Sequence, residues 1–180
     1  MSHMKLLVRA PNWIGDAVMS IPALACFSRN NPKSEIWLAG TPWVKDVFRG
    51  KEYIRGSLVL SSRTSLASLK KDARMIREEG FDAGLLLTNS FASALMFAMA
   101  RIPQRWGYNR DGRGLLLTQA AKPPAGEPKL HQVHYYTHLV EQLGGGSCTP
   151  ELSLDPDEDE IREATKILLS EGINPEAPIV

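Results

Sequence analysis

The sequence predicts an α/β fold, a Rossmann-like, doubly wound and mostly parallel sheet, on three observations. Short apolar runs alternate with helical patterns along the 180 residues. The opening stretch, residues 5–24, reads as strand, loop and helix. Residues 81–88 are apolar almost throughout, as a central parallel strand buried on both faces is.

In order, Leu6, Leu7 and Val8 form the first apolar run, and Pro11 and Gly15 interrupt it. A helical pattern then runs through Ala17, Met19, Ile21, Leu24 and Ala25. After a turn at residues 30–33, residues 35–40 read as a second strand, closing a βαβ unit whose crossover is right-handed. Thr41 and Pro42 suit the cap and first position of a short helix to Arg49. Residues 54–60 read as a third strand and 61–65 as a loop. A helix over 66–80 follows, with Leu66, Leu69, Ala73 and Ile76 on one side. Its other face, with Lys70, Lys71, Arg74, Arg77, Glu78 and Glu79, reads as solvated, a nearby anionic membrane leaflet being the lesser reading.

Asn89 and Ser90 follow the fourth strand and precede a helix over 91–101, whose Met and Phe stripe reads as core. Residues 104–108 form another strand and 109–114 a turn-rich loop. With Arg101, Arg105, Arg110 and Arg113 against Asp111, this is the most basic part of the chain. Residues 122–128 form a stiff linker and 131–143 a helix ended by Gly144, Gly145 and Gly146. His131, His134 and His138 lie at helical spacing, but without acidic or cysteine partners they read as helix surface and not as a metal site. Residues 151–154 read as a short strand. Asp155 and Pro156 open a helix to about Glu171, with acids over its first turn. The domain is expected to span residues 4–172, Met1 to His3 reading as a vector remnant. Residues 173–180 are expected to begin a connection to a further domain.

The chain is 43% hydrophobic and 23% charged with a net charge of +1, which describes a globular domain and gives no reason to expect a nucleic-acid partner. No signal peptide is read at the N-terminus. Residues 91–100, the longest apolar segment, fall short of the roughly 20 residues a membrane helix needs. Cys26 and Cys148 show neither metal-ligand spacing nor a disulfide framework, so a reducing compartment is expected. No G-x-G-x-x-G or G-x-x-x-x-G-K-[ST] phosphate-cradling motif follows any strand.

Asp16 stands out. It falls where the first loop becomes a helix, at the carboxyl end of a strand, where doubly wound sheets bind ligands. The plain explanation is an N-cap, its carboxylate accepting orphan backbone N–H groups. Pro11, Asn12, Trp13 and Gly15 form a polar-aromatic approach to that carboxylate beyond what a cap requires, and this suits a polyhydroxylated ligand.

The string Val8-Arg-Ala-Pro-Asn-Trp-Ile-Gly-Asp-Ala-Val-Met-Ser-Ile-Pro-Ala-Leu24 resembles the opening of the bacterial heptosyltransferases of the lipopolysaccharide inner core, above all the ADP-heptose:LPS heptosyltransferase II type. Leu87-Thr-Asn-Ser-Phe-Ala-Ser-Ala94, Ile102-Pro-Gln-Arg-Trp-Gly-Tyr108 with Arg110 and Arg113, and His131-Gln-Val-His-Tyr-Tyr136 are similar to further landmarks in the family's order. The resemblance implies the acceptor lobe of a two-lobe, type B glycosyltransferase. Its missing C-terminal lobe would bind the donor, ADP-heptose. The implied reaction moves heptose with inversion onto a heptose of the inner core, needing neither cofactor nor metal.

Asp16 matches the general base. Asn12, Trp13, Gly15, Asn89 and Ser90 are the candidates for holding the acceptor sugar, and Arg63, Arg110 and Arg113 for meeting its Kdo carboxylates and phosphates. Implied partners are the Kdo/heptose–lipid A acceptor and ADP-heptose, in the cytoplasm of a Gram-negative cell, with peripheral contact at the inner membrane. Two alternatives stand beside this: a heptosyltransferase of another step, and a non-catalytic Rossmann-like module that binds an anionic sugar or nucleotide.

Overall fold

The computed structural model describes residues 3–62, 65–126, 130–154, 156 and 158–177. Six strands, β1 (Met4–Arg9), β2 (Ser34–Gly40), β3 (Ile54–Val59), β4 (Ala83–Leu86), β5 (Gln104–Tyr108) and β6 (Gln119–Ala121), form one sheet in the order β3-β2-β1-β4-β5-β6. Every pairing is parallel. The order reverses between β1 and β4, so the carboxyl ends of these two strands flank the topological switch point, where an open α/β sheet has its crevice.

The helices are α1 (Ile14–Asn30), α2 (Val44–Val47), α3 (Leu66–Glu78), α4 (Phe91–Met99), α5 (Gln132–Gln142) and α6 (Glu158–Ser170). They divide the apolar side chains into two cores. On one face α1, α2 and α5 cover Leu6, Val8, Ile36, Leu38 and Leu85; on the other, α3 and α4 cover Leu7, Ala39, Leu86 and Phe81. The alternation along β1, Leu6 and Val8 to one face and Leu7 to the other, follows from the period of two along a strand. Gly84 of β4 lets α4 lie close, since a Cβ there would come within 2.5 Å of the Phe97 ring.

The structure corrects three expectations. Cys26 and Cys148 are joined in a disulfide, with Cα atoms 5.5 Å apart across 122 residues. Their pairing is set by tertiary packing: α5 lies on α1, and the three glycines after it carry the chain back over α1. A Cβ at Gly146 would meet the Asn30 side chain at 2.6 Å, and Gly144 and Gly146 both have positive φ. With the cysteines paired, the thiol reasoning for a reducing compartment no longer applies.

Residues 151–154 form no strand: they are exposed and run past α2, where Lys51 Nζ donates to the Ser153 carbonyl, instead of alongside a sheet edge. Leu66 is 61% exposed, and α3 packs through Ala73 and Ile76 with Asp72. The charged face of α3 is solvated as expected. The cap expected of Asp155 and the last three residues of the connection expected over 173–180 lie outside the described residues, as do residues 127–129 of the linker. No helix among the described residues is long and apolar enough to cross a membrane.

Candidate functional site

Helix α1 begins at Ile14, and its cap residue, Trp13, makes no side-chain cap bond. Asp16 is the third helical residue, half-buried, and its carboxylate makes no hydrogen bond or ion pair among the described residues. The capping explanation is therefore corrected. The helix starts at Ile14, earlier than the apolar pattern suggests, and so carries Asp16 past the cap into the first turn. An anion is favoured there by the helix dipole. Nor is the approach crowded: Trp13 is 76% exposed and Gly15 has open space around it. The carboxylate's nearest marked influence is on Tyr136 of α5. Burial, with the Asp16 charge adding to it, holds the Tyr136 hydroxyl well above the ordinary tyrosine value, while a bond to Gln132 acts the other way.

Across the rim, between α3 and α4, a cavity of about 200 Å³ is lined by Arg9, Asn12, Ser61, Asp72 and Ser90, with Met96 at its apolar end. It brings together two of the residues expected to hold a sugar, Asn12 and Ser90. Arg9, at the end of β1, donates to Asn12 Oδ1 at 2.6 Å and to the Ala10 carbonyl, and burial pulls its pKa down to about 10 against the opposing charge of Asp72. Asp72 is 5% exposed and accepts from the Ser61 backbone at 3.0 Å and the Ser61 hydroxyl at 2.8 Å, closing the loop after β3 onto α3. Ser90 also caps α4, its hydroxyl accepting from the Ser93 backbone.

Asn89 stands at the end of β4, and both ends of its amide are held. Nδ2 donates to the Tyr135 hydroxyl at 2.8 Å, and Oδ1 accepts from Arg113 Nη2 at 3.1 Å. Arg113 itself is fully buried. Its Nε donates to the Tyr108 carbonyl at 2.8 Å and its Nη1 to the Thr88 carbonyl.

The expectation that Arg113 meets substrate anions directly is thus corrected, because its guanidinium is spent on internal oxygens. Asp111 and Gly112, both at positive φ, turn the chain so that the next side chain points inward. The basic cluster does not converge either. Arg101 and Arg105 lie at the amino end of β5, where Arg105 binds the Leu116 and Ile102 carbonyls, and Arg110 is half-buried in the loop beyond the other end. Arg63 lies outside the described residues.

The rim thus holds Asp16 beside Tyr136, Asn89 beside Tyr135, and Asn12 with Ser90 in the cavity next to them. Trp13 and Gly15 stand exposed at the start of α1. Arg9, Asp72 and Tyr135 were not singled out from the sequence. Arg9 and Tyr135 carried a signal, as parts of the strings 8–24 and 131–136; Asp72 carried none. No group of acidic, His or Cys side chains suited to a metal ion occurs among the described residues. His131 caps α5, and His138 Nδ1 lies 2.8 Å from the Tyr108 hydroxyl.

A parallel sheet with a polar crevice at its switch point and an unpaired carboxylate on the first helix defines a Rossmann-like ligand-binding lobe. Residues 69–169 match glycosyltransferase family 9 (heptosyltransferase), and the chain belongs to that family. It is 28% identical over 120 residues to lipopolysaccharide heptosyltransferase 2 of Salmonella typhimurium, a match covering 65% of this chain and 34% of the relative. To lipooligosaccharide heptosyltransferase 2 of Haemophilus ducreyi it is 27% identical over 117 residues, covering 63% and 33%. The match therefore spans about a third of these curated relatives.

Among solved structures, the fold is similar to E. coli ADP-heptose lps heptosyltransferase II with a TM-score of 0.73 and 22% identity, over 97% of this chain and 53% of that one. The family 9 glycosyl transferase of Veillonella parvula gives a TM-score of 0.82 at 19% identity, over 97% and 51%.

Proposed function

We propose that this chain is the acceptor-binding lobe of an inverting heptosyltransferase that moves heptose from ADP-heptose to a heptose of the lipopolysaccharide inner core, at the second heptose step. The observation that carries the reading is the Asp16 carboxylate, at the rim of the crevice with no hydrogen-bond or ion-pair partner among the described residues. A capping role would have consumed it.

Inversion needs the acceptor hydroxyl to attack the anomeric carbon in line, opposite the departing phosphate oxygen. As the new C–O bond forms, the bond to ADP breaks and ADP leaves with the electron pair. The hydroxyl proton passes to Asp16. A carboxylate is too weak a base to deprotonate a sugar alcohol in advance. The proton therefore moves late, once oxocarbenium character has acidified the hydroxyl. Much of the rate then rests on positioning, for which Asn12, Ser90 and Asn89 provide groups on either side of the switch point. No step calls for a metal. The donor falls to a second lobe, in keeping with the lack of a phosphate cradle after β1. The reading carries with it a site of action at the inner membrane of a Gram-negative cell, on the side where ADP-heptose is available.

In the two-lobe enzyme, Asp16→Asn is expected to lower kcat by a factor of about 100 or more while acceptor affinity and melting temperature stay near those of the parent. Transfer followed by ADP release checks it. Near-parental turnover would remove Asp16 from the chemistry.

A further inference from the structure

Arg113 is the largest fully buried side chain among the described residues. A guanidinium stays charged in a protein, and a buried charge is costly unless it is paired. Yet no carboxylate lies within ion-pair distance of it among the described residues; its partners are the Tyr108 and Thr88 carbonyls and the Asn89 amide oxygen, all neutral. Its seat is built for it. Gly107 leaves the room, since a Cβ there would come within 3.2 Å of Nη2, and Asp111 and Gly112 adopt left-handed backbone to turn it in. Packing alone would be served by an apolar side chain at that position.

The charge sits directly behind Asn89. Left free, an amide presents either its oxygen or its nitrogen to a ligand. Here Arg113, a pure donor, takes Oδ1, and the Tyr135 hydroxyl takes one of the two Nδ2 hydrogens. The Tyr135 ring is itself fixed against Tyr108, with ring centroids 4.4 Å apart, and the Tyr108 hydroxyl donates to the Tyr135 carbonyl at 2.7 Å. The second Nδ2 hydrogen has no acceptor among the described residues. Asn89 is half-exposed at the crevice, so the group offered there is an N–H donor with a positive charge behind it.

We propose that Arg113 is a positioning residue: through Asn89 it makes this end of the crevice a receptor for an anionic oxygen of the sugar acceptor, a carboxylate or a phosphate ester. The ligand half of this rests on the acceptor-lobe reading; the positioning half does not.

The test uses the 180-residue chain with Asn89→Asp, Arg113→Met and the double variant. If Arg113 is aimed at the residue-89 oxygen, Asn89→Asp supplies the missing counter-charge. It should raise the melting temperature in the parent and fail to do so in the Arg113→Met background. Equal shifts in the two backgrounds would overturn the positioning.

Calorimetric titration with an inner-core oligosaccharide bearing heptose, keto-acid sugars and phosphate should show Asn89→Asp binding about tenfold or more weakly, because a carboxylate now faces the ligand anion. The parent's affinity should fall with salt. Unchanged affinity in Asn89→Asp would overturn the ligand assignment. Repeating the titration with phosphatase-treated oligosaccharide separates the two sources. A penalty that persists marks a carboxylate, and one that vanishes marks a phosphate. If the parent chain binds no acceptor at all, the acceptor-lobe reading falls together with the ligand half, and the melts still decide the positioning.

Discussion

Tyr136 shows how one buried side chain ties the rim to the stability of the fold. Burial, reinforced by Asp16, keeps its hydroxyl protonated above the ordinary tyrosine value of 10.0. The unfolded chain gives up this proton first. The stabilisation is therefore complete below pH 10, and it is lost as pH rises above 10 toward the folded value. Tyr136→Phe has no such proton, so the margin by which the parent out-melts it at pH 8 should narrow at pH 11. A gap that widens would contradict this.

That Asp16, Asn12 and Ser90 stand at the carboxyl ends of β1 and β4 was legible from the strand–loop–helix pattern, while the start of α1, and with it the place of Asp16 in the first turn, was not. Arg113 was misread because a loop arginine beside glycines looks solvated. Only the left-handed backbone at Asp111 and Gly112, in a non-local setting, sends it inward.

At the level of elements, β1 to β5 overlap runs marked out by composition, while β6, a three-residue edge strand, and the pieces fixed by long-range packing did not show. The disulfide closes a loop of 122 residues, for which the chain-entropy treatment gives about 2–5 kcal/mol of stabilisation, in a model-dependent way. Reduction, or Cys26→Ala with Cys148→Ala, should therefore lower the urea midpoint, and reductant should have no further effect on the double variant. A midpoint indifferent to reductant in the parent would mean that the bridge adds nothing to stability. The tight seat of β4 on α4 makes a separate prediction. Gly84→Ala drives a Cβ into the Phe97 ring at 2.5 Å and should cost about 1–3 kcal/mol by urea unfolding.

For the whole molecule, the switch point decides which half of a transfer reaction this lobe can serve. Many doubly wound folds seat a pyrophosphate on the N-terminus of the first helix, where free backbone N–H groups and the dipole favour an anion. Here that terminus carries Asp16 in its first turn and Trp13 at its cap, and no glycine-rich turn brings the backbone up to a phosphate. The carboxylate would repel a diphosphate at the place the fold ordinarily offers one. Beside it, Asn12, Ser90 and the half-exposed Asn89 amide suit hydroxyls and single anionic oxygens. The isolated chain is accordingly expected to bind a core oligosaccharide, to give no heat with ADP or ADP-heptose, and to transfer no heptose. The three measurements discriminate. Nucleotide binding without acceptor binding would recast the chain as a nucleotide-recognising module, and transfer by the isolated chain would mean that one lobe suffices for both substrates.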